Sequence, residues 1–549
     1  MKKFLFLDKI KWQTWALLFL ILAGTFLRTY RFHDWLLFGD DQIRDAYITN
    51  DVVTGKSPLP LAGPFMSFSG NGRHSEKDSF HLGPIYYYFQ IISAKFFGNY
   101  PDKLAYPDVF FSILLIPLFY LFLRIYFSKN LALGITGIYA ISAYFIIYSR
   151  FAWNTNLIPF FVILFLLSLY KFLEKNEKTS WLWVLSLGFA LGVGFQLHAI
   201  VMIIFSIVAF LVFLFSMKKN YLAWKKWVVV LLVFLALNAG QITKEMRTNF
   251  SNSEAFLHSV VSRDKDTPSV NAITLLKLGN DVDCHIEANF FLLSSYGDER
   301  CPHSFIGFLS DDWVASYFSN FQGRIDFMIL FASLVFSVAG YFLLVYYGKK
   351  EKDIAKKYFL RLIILYFTVG FLVMLPLSQN NVNDFRYFVF GFFMPFMFLG
   401  FLAKYLTQKL KRRKYITAVV ALIIFCLLIF SNVKAIYVKA DSLLKGTATC
   451  LQHRAILGEI EPIAQDMISQ ANEQGWLYLE KSERSIPDAF GYLLKKQNVD
   501  LIKVDEGNYY MYNNVPIFYL DCKTQQKLSV GTILNTDNID FDQSFERAP

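Results

Sequence analysis

Eleven runs of about twenty mostly apolar residues constrain this chain more than any other feature. They cover 12–30, 104–126, 131–149, 156–173, 181–197, 199–216, 224–241, 326–347, 357–377, 385–405 and 414–432. A helix that crosses a bilayer needs about 20 such residues, so the pattern calls for an all-α polytopic membrane protein with about 11 transmembrane helices. The composition agrees. Of 549 residues 55% are hydrophobic and only 18% charged, against about 25% charged in an average soluble protein. Soluble enzymes and disordered chains are both excluded. The basic start and first apolar run lack a small-residue cleavage site, so they read as a retained helix and not a removed signal peptide.

The net charge of +11 is explained by where the cations lie. With the N-terminus cytoplasmic, the segments 124–130, 171–178, 217–226, 348–357 and 404–414 all fall inside. Together with the N-terminus they hold 24 Lys and Arg, whereas the short outer connections hold Arg150 and Arg386. This is the positive-inside bias of a multi-pass membrane protein. The stretch His81 to Phe97 is too short and polar for a twelfth crossing, which would reverse that bias. It is expected to form an interfacial helix on the outer face, with Tyr86, Tyr87 and Tyr88 in the headgroup layer.

Under this topology two long loops, 31–103 and 242–325, lie outside, and residues 438–549 form a small extracytoplasmic α/β domain beyond a membrane domain of 1–437. Within 438–549, Pro462 to Glu473 and Pro487 to Lys496 read as helices, and Trp476 to Leu479 and Leu501 to Val504 as strands. Cys284 with Cys301, and Cys450 with Cys522, are two candidate disulfides in an oxidising compartment. No Cys/His spacing matches a strong zinc template, so no metal is assigned.

The span centres are nearly free of charge, unlike those of most transporters. Unusual polar residues gather instead at the outer ends of spans. Asp40 and Asp41 precede Arg44 by about one helical turn, and Asp41 with Arg44 is an i,i+3 pair. The alternative reading is an N-cap on a surface helix. His81 opens a Gly83-Pro84-Ile85-Tyr86-Tyr87 stretch. Ser149-Arg150 and Trp153-Asn154-Thr155-Asn156 follow the third span, His198 ends the fifth, and Arg386-Tyr387 opens the tenth. Singly, each also reads as a cap, a headgroup anchor or a snorkelling side chain. Together they share one side of one membrane.

At these residues the chain resembles the C-type integral-membrane glycosyltransferases, in the branch of the protein O-mannosyltransferases and the aminoarabinose transferases of lipid A. Asp41-Gln42-Ile43-Arg44 sits on that branch's acidic motif in the first outer loop. Gly83-Pro84-Ile85-Tyr86-Tyr87 sits on its Pro-Pro-Leu-Tyr-Tyr-like stretch, and Arg386-Tyr387 on its late Arg-Tyr. The likeness covers roughly residues 1–410. Gln42 stands where Glu is usual, Leu82 where Lys is frequent, and Asn154 or Asn156 where a second acid is found.

The resemblance implies transfer of a sugar from a polyprenyl-phosphate donor to a protein, lipid or glycan hydroxyl outside the membrane, by inverting displacement. Asp41 is then the expected base, with Asp40 second. Arg44 and Arg386, backed by Arg150 and His81, are the expected phosphate ligands. Tyr86, Tyr87, Asn154, His198 and Tyr387 complete the expected substrate-binding set. No cofactor is expected. The competing readings are an oligosaccharide ligase or polymerase using a lipid diphosphate carrier, and a non-enzymatic lipid or polysaccharide transporter.

Overall fold

A computed structural model describes residues 11–533 apart from 68–78, 175–180, 220–222, 262–269, 297–320, 378–384, 411–413, 453, 470–475, 481–485, 505–516 and 523–526. The chain is a polytopic helical membrane protein. In order it forms α1 (Trp12–Thr29), α2 (Asp40–Val53), β1 (Phe65–Ser67), β2 (Ser79–His81), α3 (Ile85–Phe97), α4 (Pro101–Leu104), α5 (Tyr106–Arg124), α6 (Lys129–Ile141) and α7 (Ala143–Tyr148). Then come a 3₁₀ turn (Asn154–Leu157), α8 (Ile158–Leu173), α9 (Trp181–Leu197), α10 (Ala199–Lys219), α11 (Trp224–Leu237), α12 (Ala239–Arg247), α13 (Ser251–Val261) and α14 (Val270–Ser294). The last membrane helices are α15 (Phe321–Lys350), α16 (Ile354–Leu377), α17 (Met394–Lys409) and α18 (Lys414–Lys445).

Every apolar run is helical. Among the described residues seven helices are long and apolar enough to cross a membrane, or eight if α11 and α12, bent by 64° at Asn238, form one span. The expected eleven therefore include segments that fall short of that standard. The run 131–149 is split into α6 and α7 at Ser142, whose ψ of 122° is extended. Residue Asn432 of α18 meets the N–H freed by the break and a carbonyl at the end of α14. Its Oδ1 accepts the Ala143 N–H at 2.9 Å, and its Nδ2 donates to the Leu293 carbonyl at 2.7 Å. Broken helices survive in apolar surroundings only when their open backbone groups are met in this way. Helix α3 spans 13 residues, about 20 Å at 1.5 Å per residue, less than a hydrocarbon core of about 30 Å.

Helix α14 lies in the segment expected to be an outer loop. Its second half nevertheless enters the helical core, with Cys284, Ala288, Phe291 and Leu292 buried in the main aromatic cluster.

The C-terminal residues fold as α/β. Beyond α19 (Ala448–Gln452) and α20 (Leu457–Ser469) come β3 (Trp476–Glu480), α21 (Ile486–Lys495), β4 (Asp500–Val504), β5 (Ile517–Asp521) and β6 (Ser529–Ile533). The sheet order is β4-β3-β5-β6, with β3 parallel to both neighbours and β6 antiparallel to β5. Cys450 and Cys522 are joined by a disulfide. Cys284 is also disulfide-bonded, while Cys301 lies outside the described residues.

A second apolar core joins this unit to the first outer loop, burying Leu36, Phe38 and Ile43 with Leu457, Leu479 and Phe490. The Tyr492 ring meets Phe38 at 5.3 Å and Tyr47 at 5.0 Å, both edge-on. Leu37 bridges to Ile456, and the Phe38 N–H donates to the Ala455 carbonyl at 2.9 Å. The start of α2 is thereby braced from the far end of the chain.

Candidate functional site

Helix α2 begins where Gly39 is extended, with φ −136° and ψ −171°. Gln42 Oε1 accepts the Gly39 N–H at 3.3 Å, the return half of a capping box. The side-chain amide of Gln42 donates to the Ala152 carbonyl at 3.0 Å, tying this start to the turn after α7. Asp40 and Asp41 occupy the first turn, where free backbone N–H groups favour negative charge.

Arg44 Nη1 contacts Asp41 Oδ1 at 2.8 Å, and its Nη2 contacts Asp45 Oδ1 at 2.8 Å. Asp41 keeps 44% of its side chain exposed and Asp45 only 1%. Burial pushes the Asp45 carboxyl up to about 6, against the pull of Arg44. Burial works against the Arg44 charge too, yet Asp45 and Asp41 hold its protonated form above the ordinary value. Tyr87 lies against this pair, and burial, then Asp45, raises its phenol. One arginine thus holds an open carboxylate on one side and a buried one on the other.

The hairpin β1–β2 brings His81 to the same region. Its Nδ1 lies 3.0 Å from the Gly63 carbonyl. A carbonyl only accepts, so Nδ1 carries the proton and Nε2 keeps its lone pair. Gly63 is needed here, because a Cβ at this position would meet the Gly83 carbonyl oxygen at 2.1 Å. The Asn252 Oδ1 accepts the His81 N–H at 2.5 Å. Burial, and then the charges of Lys244 and Arg44, hold His81 below its usual pKa.

Lys244 escaped the sequence reading. It sits on α12, and only the bend at Asn238 turns it toward the hairpin. That Asn238 amide donates to the Phe234 carbonyl at 2.8 Å and the Gly192 carbonyl at 3.3 Å. A polar residue followed by an amphipathic basic segment at the end of an apolar run is the available signal for such a bend.

The other expected residues lie elsewhere or face inward. Tyr86 is fully buried, and its hydroxyl donates to Asp108 Oδ2 at 2.9 Å, while the Trp153 N–H donates to Asp108 Oδ1 at 3.1 Å. Arg150 donates to the carbonyls of Leu27, Arg28, Tyr30 and Arg31 at 2.8–3.3 Å. It closes the C-terminal end of α1, and burial lowers its pKa to about 10. Asn154 likewise donates to the Leu197 carbonyl at 2.5 Å, at the end of α9. His198 Nδ1 accepts the Ile200 N–H at 3.3 Å. The side chains of Arg386 and Tyr387 lie outside the described residues; their backbone belongs to a 3₁₀ segment, Phe385–Gly391. Of the eleven candidates, the structure gathers Asp40, Asp41, Arg44, His81 and Tyr87 at one end of α2. Among the described residues no three His, Cys, Asp or Glu side chains form a metal-sized group.

Residues 81–240 match the dolichyl-phosphate-mannose-protein mannosyltransferase family, within the group that the motifs resemble. No curated protein sequence matches the chain. Among solved structures, the oligosaccharyltransferase of Archaeoglobus fulgidus in complex with zinc and sulfate is 12% identical, with a TM-score of 0.44 over 90% of this chain and 62% of that one. The chain thus spans less than two thirds of that protein's length. The ArnT of Cupriavidus metallidurans, in the apo state, is also 12% identical, with a TM-score of 0.44 over 93% and 92%. Its undecaprenyl-phosphate-bound form gives 0.43 over the same shares.

Proposed function

We propose, starting from the family match over residues 81–240, that the chain is a membrane glycosyltransferase that moves a sugar from a polyprenyl-phosphate donor to an acceptor hydroxyl. The reaction takes place at the outer face of a bacterial inner membrane. One observation carries this reading: Arg44 is shared between half-exposed Asp41 and buried Asp45, with His81 and Lys244 in the same region.

A phosphate is already a competent leaving group, so the donor needs cations to hold the charge that develops on it. Arg44 and Lys244 supply them, and the planar guanidinium suits two phosphate oxygens at once. When the phosphate draws Arg44, Asp41 loses its partner and regains its basicity. Asp45, buried behind, keeps the guanidinium in place during the exchange. Asp41 then takes the proton of the attacking hydroxyl as the new C–O bond forms and the sugar–phosphate bond breaks. A single displacement inverts the anomeric centre. The His81 Nε2 lone pair accepts from a sugar or acceptor hydroxyl.

The test is Asp41→Asn, assayed with labelled polyprenyl-phosphate sugars in membranes. General-base help contributes roughly 10²–10⁴-fold, so transfer is expected to fall by that order while the protein still accumulates in the membrane. Near-normal transfer removes Asp41 as the base. Transfer only from diphosphate-linked glycans moves the reading to an oligosaccharide ligase.

A further inference from the structure

A cleft that the proposed reaction does not use lies between the outer ends of α1 and α18. It encloses about 850 Å³ including its open mouth. Both helices pack on α7, which supplies the floor through Ile146 and Ile147. Three cationic side chains line it, Arg150, Lys439 and Arg454, and none of the described lining residues is acidic. Arg150 is committed to the α1 carbonyls and contributes its field more than its donors. Lys439 donates to Gln452 Oε1, and Arg454 is exposed.

Toward the bilayer from the cations the lining turns apolar, with Leu27 on α1 and Ile436 on α18. The apolar surface continues along both helices through exposed Leu22 and Phe26 on one side and Phe430, Val433 and Tyr437 on the other. Only 6% of the apolar window of α18 is buried against protein, so this helix stands in lipid along most of its length. A cationic head end over an apolar furrow, at the level where two membrane helices leave the bilayer, is complementary to an anionic amphiphile and to neither a free anion nor a neutral lipid.

We propose that this cleft binds an anionic glycerophospholipid, its phosphate headgroup beside Lys439 and Arg454 and its acyl chain in the furrow between α1 and α18. The site is separate from that at Arg44. None of Asp40, Asp41, Arg44, His81 and Lys244 lines this cleft.

The experiment uses the full chain purified in a neutral detergent and titrated with phosphatidylglycerol, phosphatidylcholine or inorganic phosphate, with melting temperature and native mass spectrometry as readouts. Phosphatidylglycerol is expected to raise the melting temperature and remain bound. The double variant Lys439→Ala with Arg454→Ala is expected to lose about 30-fold in affinity, equivalent to about 2 kcal/mol at 1.4 kcal/mol per tenfold. The charge-keeping pair Lys439→Arg with Arg454→Lys is expected to retain binding, which separates lost charge from lost folding. Arg44→Ala is expected to respond like the parent. An undiminished response in the double alanine variant overturns the proposal. So does an equal response to phosphatidylcholine or to inorganic phosphate, or a response lost in Arg44→Ala.

Discussion

Asp45 shows how a side chain that touches no solvent can govern one that does. The motif Asp40-Asp41-Gln42-Ile43-Arg44-Asp45 reads in sequence as the charged start of a surface helix. In the fold α2 buries Ile43, Asp45, Ala46 and Thr49 on one face, so the third acid points inward and the first two outward. Its burial against Tyr87 is a tertiary fact that no local spacing encodes, which is why Asp41 was legible and Asp45 was not. The physical consequence is measurable. The folded-state pKa of Asp45, about 6, lies above the ordinary aspartate value of 3.8, so between those values the folded protein holds the extra proton. Stability attributable to this group is therefore full below about pH 4, falls as pH rises through 6, and is level above. The shift corresponds to roughly 3 kcal/mol at 1.36 kcal/mol per unit. Asp45→Asn is expected to remove that part of the slope, seen as a melting temperature that changes less than the parent's between pH 4 and 7. It is also expected to slow transfer at neutral pH, because the neutral amide no longer anchors the Arg44 guanidinium.

At the scale of elements, apolar length was readable and interruption was not. Each long apolar run is a helix, and the short, tyrosine-rich stretch after His81 is a helix of 13 residues. The strand at 476–480 and the helices at 457–469 and 486–495 fall within a few residues of where alternation and periodicity placed them. Misread segments are those whose polar atoms serve another element. Helix α14 carries His285 and Asn289, which look like loop residues. In the fold Asn289 donates to Ser337 of α15 at 3.1 Å, and the polar ladder lets a mixed helix enter the core. The break at Ser142 depends on Asn432, nearly 300 residues away. Asn432→Leu leaves the Ala143 N–H and the Leu293 carbonyl unmatched. At about 1–3 kcal/mol for each buried orphan group, the variant is expected to lose roughly 2–6 kcal/mol, read as a lower melting temperature in detergent. Asn432→Gln, which keeps both a donor and an acceptor, is expected to lose less.

At the scale of the whole molecule, the C-terminal α/β unit and the first outer loop share one apolar core. The disulfide between Cys450 and Cys522 closes a loop with a sequence separation of 72. Closing a loop of that length removes unfolded-state entropy equivalent to roughly 4 kcal/mol. Cys450→Ser, or gentle reduction, is expected to lower the melting temperature. It is expected to lower transfer as well, since residues 455–456 hold the start of α2. Retained transfer in a protein whose C-terminal unit has loosened separates the brace from the chemistry. The strands β5 and β6 and this packing escaped sequence reading, because the pairing partners are distant and the segments between them carry no short-range signal.

The Leu37–Ile456 bridge also orders events in time. Residues 455 and 456 leave the ribosome more than 400 positions after the helix they support, and domains generally fold in the order of their synthesis. Asp41 and its arginine are therefore synthesised long before the residues that brace the start of their helix. A chain cut short before residue 455 presents Asp41 without that support, so on the proposed mechanism transfer is expected to require synthesis through residue 456.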